Sequence, residues 1–494
     1  MHILINGGGL AGALAAVFFL QHTKQVTVVE KRSDIRKATA ESGRSINLIL
    51  TSRGLFALRQ VNLEAAALKL CVPVEGRSIH TQQGQEQFQP YGVSPNEVNY
   101  SVSRTQLNAM LIEEAERRGA RFFFEHELTS IDFSNNCASY KCPSGTLSMR
   151  ADVIFGADGV GSPVRQRMIK QLAAEGVKAS ETMERLGISY KELTFPHVVG
   201  EGNKRVYAMN QRGLHIWPRG AHFLMALADK SETFTGTMYL PDGSAELAVP
   251  STGVPTFDDL KNDASQYEAL IAKYYPDVPK LVPDYKQQLS SRDHGFLATL
   301  RTTHWHYKGQ VCLFGDAAHG VVPFFGQGMN LAFESVVVLN RFISQHGLSK
   351  DGLETAFQRF FDHHYHSAVS IANMAIENFT EMSFKVSQAE FLKRKQIENA
   401  VESKFPKLLR SRYYMVTKTL IPYQLVQAAG PRVESCINDL QALCASKNTT
   451  VDKLPDEVVI AVIDKHLTPF FQEHRIVVGD TAMEYYPPST RSKV

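Results

Sequence analysis

The sequence contains few cysteines, little excess charge of either sign and no long hydrophobic run. Its six cysteines are spread over 494 residues without a Cys-x-x-Cys pair, and no histidine stands at zinc-ligand spacing from two of them. This usage favours reduced thiols in the cytoplasm and predicts no metal site. The net charge of +3 comes without a block of lysine and arginine, so nucleic acid is not expected as a partner.

The apolar segments are too short to cross a membrane. Residues 10–20 form an apolar stretch, but glycines precede it and no lysine or arginine does, so the pattern indicates a buried helix rather than a signal peptide. No other stretch approaches the roughly 18 apolar residues that a membrane helix requires. We therefore predict no membrane anchor.

What the sequence does contain is a glycine-rich turn near its start. Gly7-x-Gly9-x-x-Gly12 lies between a short apolar strand and an apolar helix, and Glu30 ends the next predicted strand. Glycines let a pyrophosphate approach the N–H groups at a helix N-terminus, and a carboxylate after the second strand accepts ribose hydroxyls. The pattern predicts a dinucleotide-binding unit but does not separate NAD from FAD. The predicted contacts are Gly7, Gly9, Leu10, Ala11, Gly12, Glu30, Lys31 and Arg32.

Two later segments narrow the choice of cofactor. Asp158 lies in Gly-Ala-Asp-Gly after a short buried strand, and Asp316 lies in Gly-Asp-Ala-Ala-His, before Gly328. With the glycine turn, these motifs resemble the single-component flavoprotein aromatic hydroxylases, the group that p-hydroxybenzoate hydroxylase typifies. The resemblance implies bound FAD, with Asp316 on the ribityl chain and a helix at Gly328 whose positive end faces the flavin. It adds as predicted cofactor contacts Ile49, Arg104, Leu128, Asp158, Asp316, Gly328, Met329 and Asn330.

Several stretches are similar to one branch of these enzymes, the kynurenine 3-monooxygenase family. They are residues 44–48, 52–54, 101–104, 214–219, 323–330 and 414–417, and the likeness extends to about residue 425. The resemblance implies hydroxylation of L-kynurenine, a small aromatic amino acid, to 3-hydroxykynurenine through a flavin hydroperoxide. NADPH is then a transient reductant, which fits a sequence with no second glycine fingerprint.

The resemblance assigns four residues to the substrate's amino-acid group. Arg77 and Tyr91 match the arginine and tyrosine that hold the carboxylate, while Asn378 and Tyr413 match two residues from the C-terminal helices. A guanidinium that binds a carboxylate through two parallel hydrogen bonds, supplemented by a phenol, suits an amino acid. Tyr414 takes the place of Tyr413 if the match slips by one position. The predicted apolar walls of the pocket are Phe324, Phe325, Met382 and Tyr239.

The chain divides into three regions of different sequence texture. Alternating strand and helix patterns indicate an α/β fold, with a Rossmann-type FAD-binding domain like that of p-hydroxybenzoate hydroxylase at residues 1–180 and 290–375. Short alternating segments separated by Gly, Pro and Asp predict an antiparallel substrate sheet at 181–289, to which residues 71–103 contribute. A mainly helical region follows at 376–494.

Two alternatives stay open at this point. The family usually has a basic residue just before the carboxylate-binding arginine, where this chain has Glu75, and the added negative charge leaves open another aromatic acid as substrate. A non-catalytic FAD protein for redox sensing or partner binding is the second alternative. A flavin halogenase is excluded, because the only tryptophans, Trp217 and Trp305, cannot form its Trp-x-Trp motif.

Overall fold

The structure is a computed structural model that describes residues 1–37, 47–92, 94, 97–245, 247, 251, 253–385, 388–478 and 483–485. Of the stretches that carry the family resemblance, residues 44–46 lie outside the described residues. The chain folds around two large sheets, and helices follow at its C-terminal end. This arrangement confirms the predicted fold class.

A six-stranded, mostly parallel sheet forms the first layer. Its central strands are short apolar runs that are buried on both faces, as expected where helices cover a parallel sheet. One edge strand, His306–Tyr307, runs antiparallel to its neighbour. In spatial order the strands are His306–Tyr307, Val311–Leu313, Val153–Gly156, His2–Asn6, Gln25–Val29 and Arg121–Phe123.

Helix Leu10–Phe19 packs against this sheet and against two later helices, Arg104–Arg118 and Gly328–His346. Nearly all of its residues are buried, because apolar side chains cover it on all sides. The other helices and 3-10 turns of this part are Ile35–Lys37, Ser52–Gln60, Glu64–Lys69, Pro163–Ala174, Asp316–His319 and Pro323–Phe325.

A seven-stranded sheet forms the second layer. Its neighbours are antiparallel except for Gly213–Pro218 and Gly76–His80, which run parallel. The strand Gly295–Thr302 carries the sheet beyond residue 289, while the division of the chain into domains stays a prediction. In spatial order the strands are Gly295–Thr302, Glu181–Phe195, Phe234–Pro241, Phe223–Ala228, Gly213–Pro218, Gly76–His80 and Glu86–Pro90.

Alternation along these strands gives the seven-stranded sheet two different faces. Leu214 and Ile216 pack into the core that is shared with the six-stranded sheet, whereas Trp217 packs into a second core on the opposite face. Arg77 pairs in register with Leu214 and therefore lies on the first face. The helices over the second core are Phe257–Leu260, Ala264–Tyr274, Val278–Leu281 and Tyr285–Ser291.

Four smaller sheets complete the strand structure of the described residues. Two of them have three antiparallel strands each, and two are single hairpins. Their strands are Asn47–Leu50, Asn99–Ser103 and Cys71–Val74; Glu127–Asp132, Cys137–Cys142 and Gly145–Arg150; Val198–Val199 and Arg205–Val206, joined through the 3-10 turn Glu201–Asn203; and Ile476–Val478 and Met483–Tyr485.

The C-terminal helices are fixed to the first layer by a buried cation. The guanidinium of Arg53 donates hydrogen bonds to the carbonyl oxygens of Thr419 and Ile421 and lies 3.8 Å from the ring centroid of Tyr423. These contacts hold the segment after residue 412 against the FAD-binding side. The helices and 3-10 turn of this region are Lys350–Ser383, Ala389–Lys404, Arg412–Lys418, Tyr423–Ser446, Val451–Lys453, Asp456–His466 and Thr468–Glu473.

Candidate active site

Three loops meet where the parallel strands of the six-stranded sheet end. A side chain at Gly7 would lie 2.3 Å from the carbonyl oxygen of Ala157, and one at Gly315 would lie 3.1 Å from the methyl group of Ala11. Gly7 also has a φ of +107°, which favours glycine. The three predicted motifs are therefore packed directly against one another, in the crevice where α/β sheets bind ligands.

The glycine turn is closed on one side and open on the other. A Cβ atom at Gly12 would lie 1.9 Å from the carbonyl oxygen of Gly7, so glycine is needed where helix Leu10–Phe19 crosses the preceding strand. At Gly9, apart from the glycine and its two chain neighbours, no atom of the described residues lies within 4 Å of the corresponding position. Because Gly9 caps the helix and has no side chain, the N–H groups of the first turn are left for an external anion.

Glu30 follows the second strand, and two backbone N–H groups hold its carboxylate in place. Gly8 donates to Oε2 at 2.8 Å, and Arg32 donates to Oε1 at 2.9 Å. Each oxygen keeps a lone pair for a further donor, so the carboxylate suits the ribose hydroxyls of an adenosine. Lys31 and Arg32 are exposed beside it.

Asp158 supports the N-terminus of helix Pro163–Ala174, whose N-cap is Ser162. Its carboxylate accepts hydrogen bonds from the hydroxyl of Ser162 and, at 3.1 Å, from the backbone N–H of Val164. Burial raises the pKa of Asp158 to about 6, although these hydrogen bonds act in the opposite direction. Asp158 therefore has a role in the fold, and its contact with the cofactor stays a prediction.

Asp316 begins the short helix Asp316–His319 beside the glycine turn. Desolvation by the surrounding protein raises the pKa of Asp316, and the nearby cation of Arg104 opposes this rise. A carboxylate in this position suits the hydroxyls of a ribityl chain.

Asn330 lies in the first turn of helix Gly328–His346 and holds a neighbouring strand. Its Oδ1 accepts from the backbone N–H of Thr51 at 2.9 Å, and its Nδ2 donates to the carbonyl oxygen of Ile49 at 2.8 Å. Because the amide groups of this side chain already form hydrogen bonds within the fold, the predicted cofactor contact of Asn330 is left to its backbone, at the start of the helix. The remaining predicted contacts are apolar and partly or fully buried: Ile49, Leu128 and Met329.

These groups together fit an extended FAD. The helix N-terminus at Gly9 suits the pyrophosphate, and Glu30 suits the ribose on one side of it. Asp316 follows a strand on the opposite side of the glycine turn from Glu30, and it and the start of helix Gly328–His346 are the predicted contacts of the ribityl chain and the flavin ring.

The predicted carboxylate-binding residues form a cage of one cation and two phenols. The rings of Tyr91 and Tyr413 are stacked, with their centroids 4.7 Å apart. The guanidinium of Arg77 lies 5.3 Å from the Tyr413 centroid and 5.8 Å from that of Tyr91. Its side chain is 12% exposed, and its Nε has no hydrogen-bond partner among the described residues. The cage therefore holds a largely buried cation with donor capacity to spare.

A short chain of hydrogen bonds orients the hydroxyl of Tyr413. Lys418 Nζ donates to Asn99 Oδ1 at 2.5 Å, and Asn99 Nδ2 donates to the Tyr413 oxygen at 2.9 Å. Since Tyr413 accepts this bond, its own hydrogen is directed to another acceptor, and the phenol oxygen of Tyr91 is within its reach. Burial lowers the pKa of Lys418 to about 7 and raises the pKa of Tyr413 well above its usual range. The next residue, Tyr414, lies against Arg410 instead, with the guanidinium 4.0 Å from its ring centroid.

The predicted apolar residues form a wall next to the cage. Phe325 stacks on Tyr413 with centroids 5.9 Å apart, and Phe324 lies 5.4 Å from Tyr239. Asn378 donates from Nδ2 to the carbonyl oxygen of Phe324 at 2.6 Å, so it holds the loop that carries both phenylalanines. The wall and the cage are therefore continuous.

Glu381 is a charged residue of the site that the sequence reasoning misses. It lies one helical turn beyond Asn378, next to the buried Met382, and its Oε1 is 3.7 Å from Nη1 of Arg77. Burial alone would raise the pKa of Glu381, but Lys395 and Arg77 hold it below its usual range. The three-residue spacing from Asn378 is the signal that points to this position.

Other missed residues have no comparable sequence signal. Phe223 and Phe379 extend the apolar wall, with ring centroids 5.6 Å and 5.0 Å from that of Phe324. Asn99 and Lys418, which orient the phenol, come from distant parts of the chain. Only the fold brings these residues together.

Glu75 does not add an unpaired charge to the cage. Its carboxylate pairs with the exposed guanidinium of Arg212, and this partner lowers the pKa of Glu75. Its backbone carbonyl accepts from the N–H of Tyr91 at 2.8 Å, which positions that residue. Glu75, which departs from the family pattern, is therefore paired with a cation at the surface.

Comparison with known proteins identifies the family. A family model described as an FAD binding domain matches residues 1–347, which confirms FAD as the cofactor. A kynurenine 3-monooxygenase from Myxococcus xanthus is 36% identical over 477 residues, which cover 96% of this chain and 97% of that protein. This chain belongs to the kynurenine 3-monooxygenase family.

The family likeness is longer than the sequence reasoning predicts. A kynurenine 3-monooxygenase from Stenotrophomonas maltophilia is 37% identical over 421 residues, which cover 85% of this chain and 88% of that protein. The match to the Myxococcus protein, at 96% of this chain, cannot end at residue 425. At least that relative therefore shares part of the C-terminal region.

Solved structures with lower identity have the same fold. A 2-methyl-3-hydroxypyridine-5-carboxylic acid oxygenase superposes with a TM-score of 0.58 at 18% identity, covering 81% of this chain and 95% of that one. An FAD complex of an HpxO variant from Klebsiella pneumoniae gives 0.59 at 16%, covering 90% and 98%. Within the described residues, no helix is both long enough and apolar enough to cross a bilayer.

Proposed function

We propose that this chain is an FAD-dependent monooxygenase that hydroxylates L-kynurenine to 3-hydroxykynurenine, with NADPH as reductant and dioxygen as the oxygen source. The names of its relatives support this reaction. The observation that carries the proposal is the largely buried guanidinium of Arg77 between Tyr91 and Tyr413. NADPH in preference to NADH, and a cytoplasmic location, are further parts of the proposal.

Arg77 receives the substrate carboxylate. Its Nε has no hydrogen-bond partner among the described residues, and its ion pair with Glu381 is long at 3.7 Å, so its donors are not used up by the protein. A carboxylate accepts two parallel hydrogen bonds from a guanidinium, and these are strong where water is excluded. The oriented hydroxyl of Tyr413 supplies a further donor.

Glu381 favours an amino acid over a simple aromatic acid. A zwitterionic substrate places its carboxylate on Arg77 and its ammonium group within reach of Glu381, because the two side chains are neighbours. An aromatic acid without the amino group pairs only with the cation of Arg77 and offers no partner to Glu381. The pair therefore matches the two charges of kynurenine.

The apolar wall holds the ring and excludes water. Bound FAD supplies the redox chemistry that activates dioxygen, for which no amino-acid side chain is suited. Phe324, Tyr239 and Phe223 are at least 95% buried and lie in mutual contact, so they offer an apolar surface to an aniline ring. Such a surface keeps the ring carbon next to the amino group in a dry environment.

The test is substrate-stimulated oxidation with identification of the product. Purified FAD-loaded protein is given NADPH with and without L-kynurenine, and the product is identified by mass spectrometry. We expect kynurenine to accelerate NADPH oxidation and to be converted to 3-hydroxykynurenine. If NADPH oxidation is stimulated only by another member of a panel of aromatic acids, that acid replaces kynurenine as the proposed substrate. Bound FAD without stimulation by any of them would point to a non-catalytic flavoprotein.

A further inference from the structure

A cluster of ionisable side chains lies on the face of the seven-stranded sheet opposite Arg77. His80 and Glu86 are cross-strand partners in the edge hairpin, and His215 lies on the next strand of the sheet. The two imidazoles are buried, whereas Glu86 is exposed at the edge. The cluster joins three neighbouring strands.

The outer nitrogen of each imidazole faces an oxygen acceptor. Nδ1 of His80 lies 3.2 Å from Oδ2 of Asp277, which also accepts from Nε1 of Trp217 at 2.7 Å. Nε2 of His215 lies 2.8 Å from the carbonyl oxygen of Asn210. A carboxylate and a carbonyl oxygen only accept hydrogen bonds, so each of these outer nitrogens is placed to donate one.

When both outer nitrogens carry the protons, the inner nitrogens face each other with their lone pairs. Nε2 of His80 and Nδ1 of His215 are 2.8 Å apart. Two lone pairs at this distance repel each other unless a positive charge lies between them. Ser78, which pairs in register with His215, also has a buried hydroxyl with no hydrogen-bond partner among the described residues. In that arrangement the cluster has unmet polar capacity, which a cation between the two nitrogens satisfies.

The ligand set indicates a metal ion. The ligand atoms of His80, His215 and Glu86 all lie within 4.8 Å of one another. Two imidazole nitrogens at zinc-bond lengths of about 2.0–2.1 Å are roughly 3.3 Å apart in tetrahedral geometry, so the pair needs to open by only roughly half an ångström. Imidazole and carboxylate are the ligands that zinc-type ions prefer. Asp277 and Asn210 occupy the positions from which outer carboxylates and carbonyls orient metal-bound histidines.

We propose that His80, His215 and Glu86 bind one divalent transition-metal cation of the zinc type at the hairpin edge of the seven-stranded sheet. The cysteine spacing predicts no metal site. The proposed site instead uses two histidines that stand 135 residues apart in the chain. The ion cross-links the hairpin formed by Gly76–His80 and Glu86–Pro90 to the sheet. Arg77 lies on the same hairpin, so the ion stabilises the strand that carries this substrate-binding cation.

The test is metal binding to the FAD-loaded protein, with Zn²⁺ and Co²⁺ alone as probes. The protein is treated with a chelator, and each ion is titrated by calorimetry, with Co²⁺ binding followed by its visible absorption bands. We expect one ion per chain, and Glu86→Gln should weaken binding by about 10-fold or more. Glu127→Gln is the matched control, because Glu127 is also an exposed strand residue but lies outside the cluster.

Variants of the histidines and of their orienting partner complete the test. His80→Asn and His215→Asn should abolish binding, and Asp277→Asn should weaken it by about 10- to 100-fold. If the histidine variants fail to fold, Glu86→Gln decides the question alone. Absence of saturable binding, or binding that Glu86→Gln leaves unchanged, overturns the proposal. The proposal is also overturned if the metal-free protein takes up no ion and the two imidazoles share one proton at neutral pH. None of these readouts depends on kynurenine turnover.

Discussion

The two ends of the candidate active site are built from different parts of the polypeptide. At the nucleotide end, the predicted cofactor contacts Gly7, Gly9 and Gly12 offer backbone groups rather than side chains, and these residues are neighbours in the sequence. At the substrate end, side chains such as Arg77 and Tyr413 meet across hundreds of residues. The first kind of site depends on the absence of side chains, and the second on their identity.

This difference teaches that the two ends should respond separately to substitution. An added methyl group at a glycine affects the backbone geometry and hence the cofactor. A removed charge in the cage affects only what the cage binds, provided that the fold is kept. The following predictions test that separation.

The largest effect is expected at Gly12. Gly12→Ala places a methyl carbon 1.9 Å from the carbonyl oxygen of Gly7, so the helix must shift, and we expect a lower Tm and loss of most bound FAD. Gly9→Ala adds the same methyl group where no described atom lies within 4 Å. It should weaken FAD binding but leave the Tm of the FAD-free protein unchanged. Equal Tm values for the two variants would contradict this account.

Arg77→Ala should raise the KM for kynurenine by about 100-fold, because loss of a buried charged partner costs about 2–5 kcal/mol. The flavin spectrum and the FAD content should be those of the wild type. Steady-state kinetics and absorbance measure the two quantities. Arg212→Ala is the control, since Arg212 is an exposed arginine paired with Glu75 outside the cage. Loss of FAD in Arg77→Ala would show that the two ends are not separate.

Tyr413→Phe should weaken kynurenine binding by roughly 10-fold, because it removes one oriented donor to a charged group, worth about 1.5 kcal/mol. Tyr414→Phe is the matched control, since Tyr414 packs against Arg410 and not against the cage. Titration of kynurenine against the flavin absorbance measures both. A larger effect in Tyr414→Phe would mean that the assignment is displaced by one residue.

The last predicted effect concerns pH and stability at the nucleotide end. The folded-state pKa of Asp158 is raised from 3.8 to about 6, so its proton is bound more tightly in the folded protein. The resulting stabilisation is complete below the lower value and is lost as the pH rises through the higher one. Relative to Asp158→Asn, the wild type should lose roughly 2 kcal/mol of unfolding free energy between pH 4 and 7. A constant difference in thermal unfolding over this range would refute the assignment.

The nucleotide end is predictable because its determinants are local. The fingerprint from Gly7 to Gly12 and the acidic Glu30 follow from strand-turn-helix spacing alone. The role of Asn330 in the fold is not predictable in this way, because its partners Thr51 and Ile49 come from a distant strand.

The substrate end is predictable only through family resemblance. No spacing rule connects Arg77 with Tyr413, and the orienting pair Asn99 and Lys418 has no sequence signal. Glu381 is an intermediate case, because its helical spacing from Asn378 places it on the correct side once Asn378 is identified. Long-range pairing, rather than local propensity, decides which side chains meet.

The central claim is that Arg77 recognises the substrate carboxylate. The most direct measurement compares KM for kynurenine with KM for an analogue that keeps the aniline ring and the amine but lacks the carboxylate. We predict that the KM for the analogue exceeds the KM for kynurenine about 100-fold in the wild type. In Arg77→Ala, at equal FAD content, the ratio of the two KM values should be near one. A wild-type ratio near one, or a ratio that Arg77→Ala leaves unchanged, would contradict the claim.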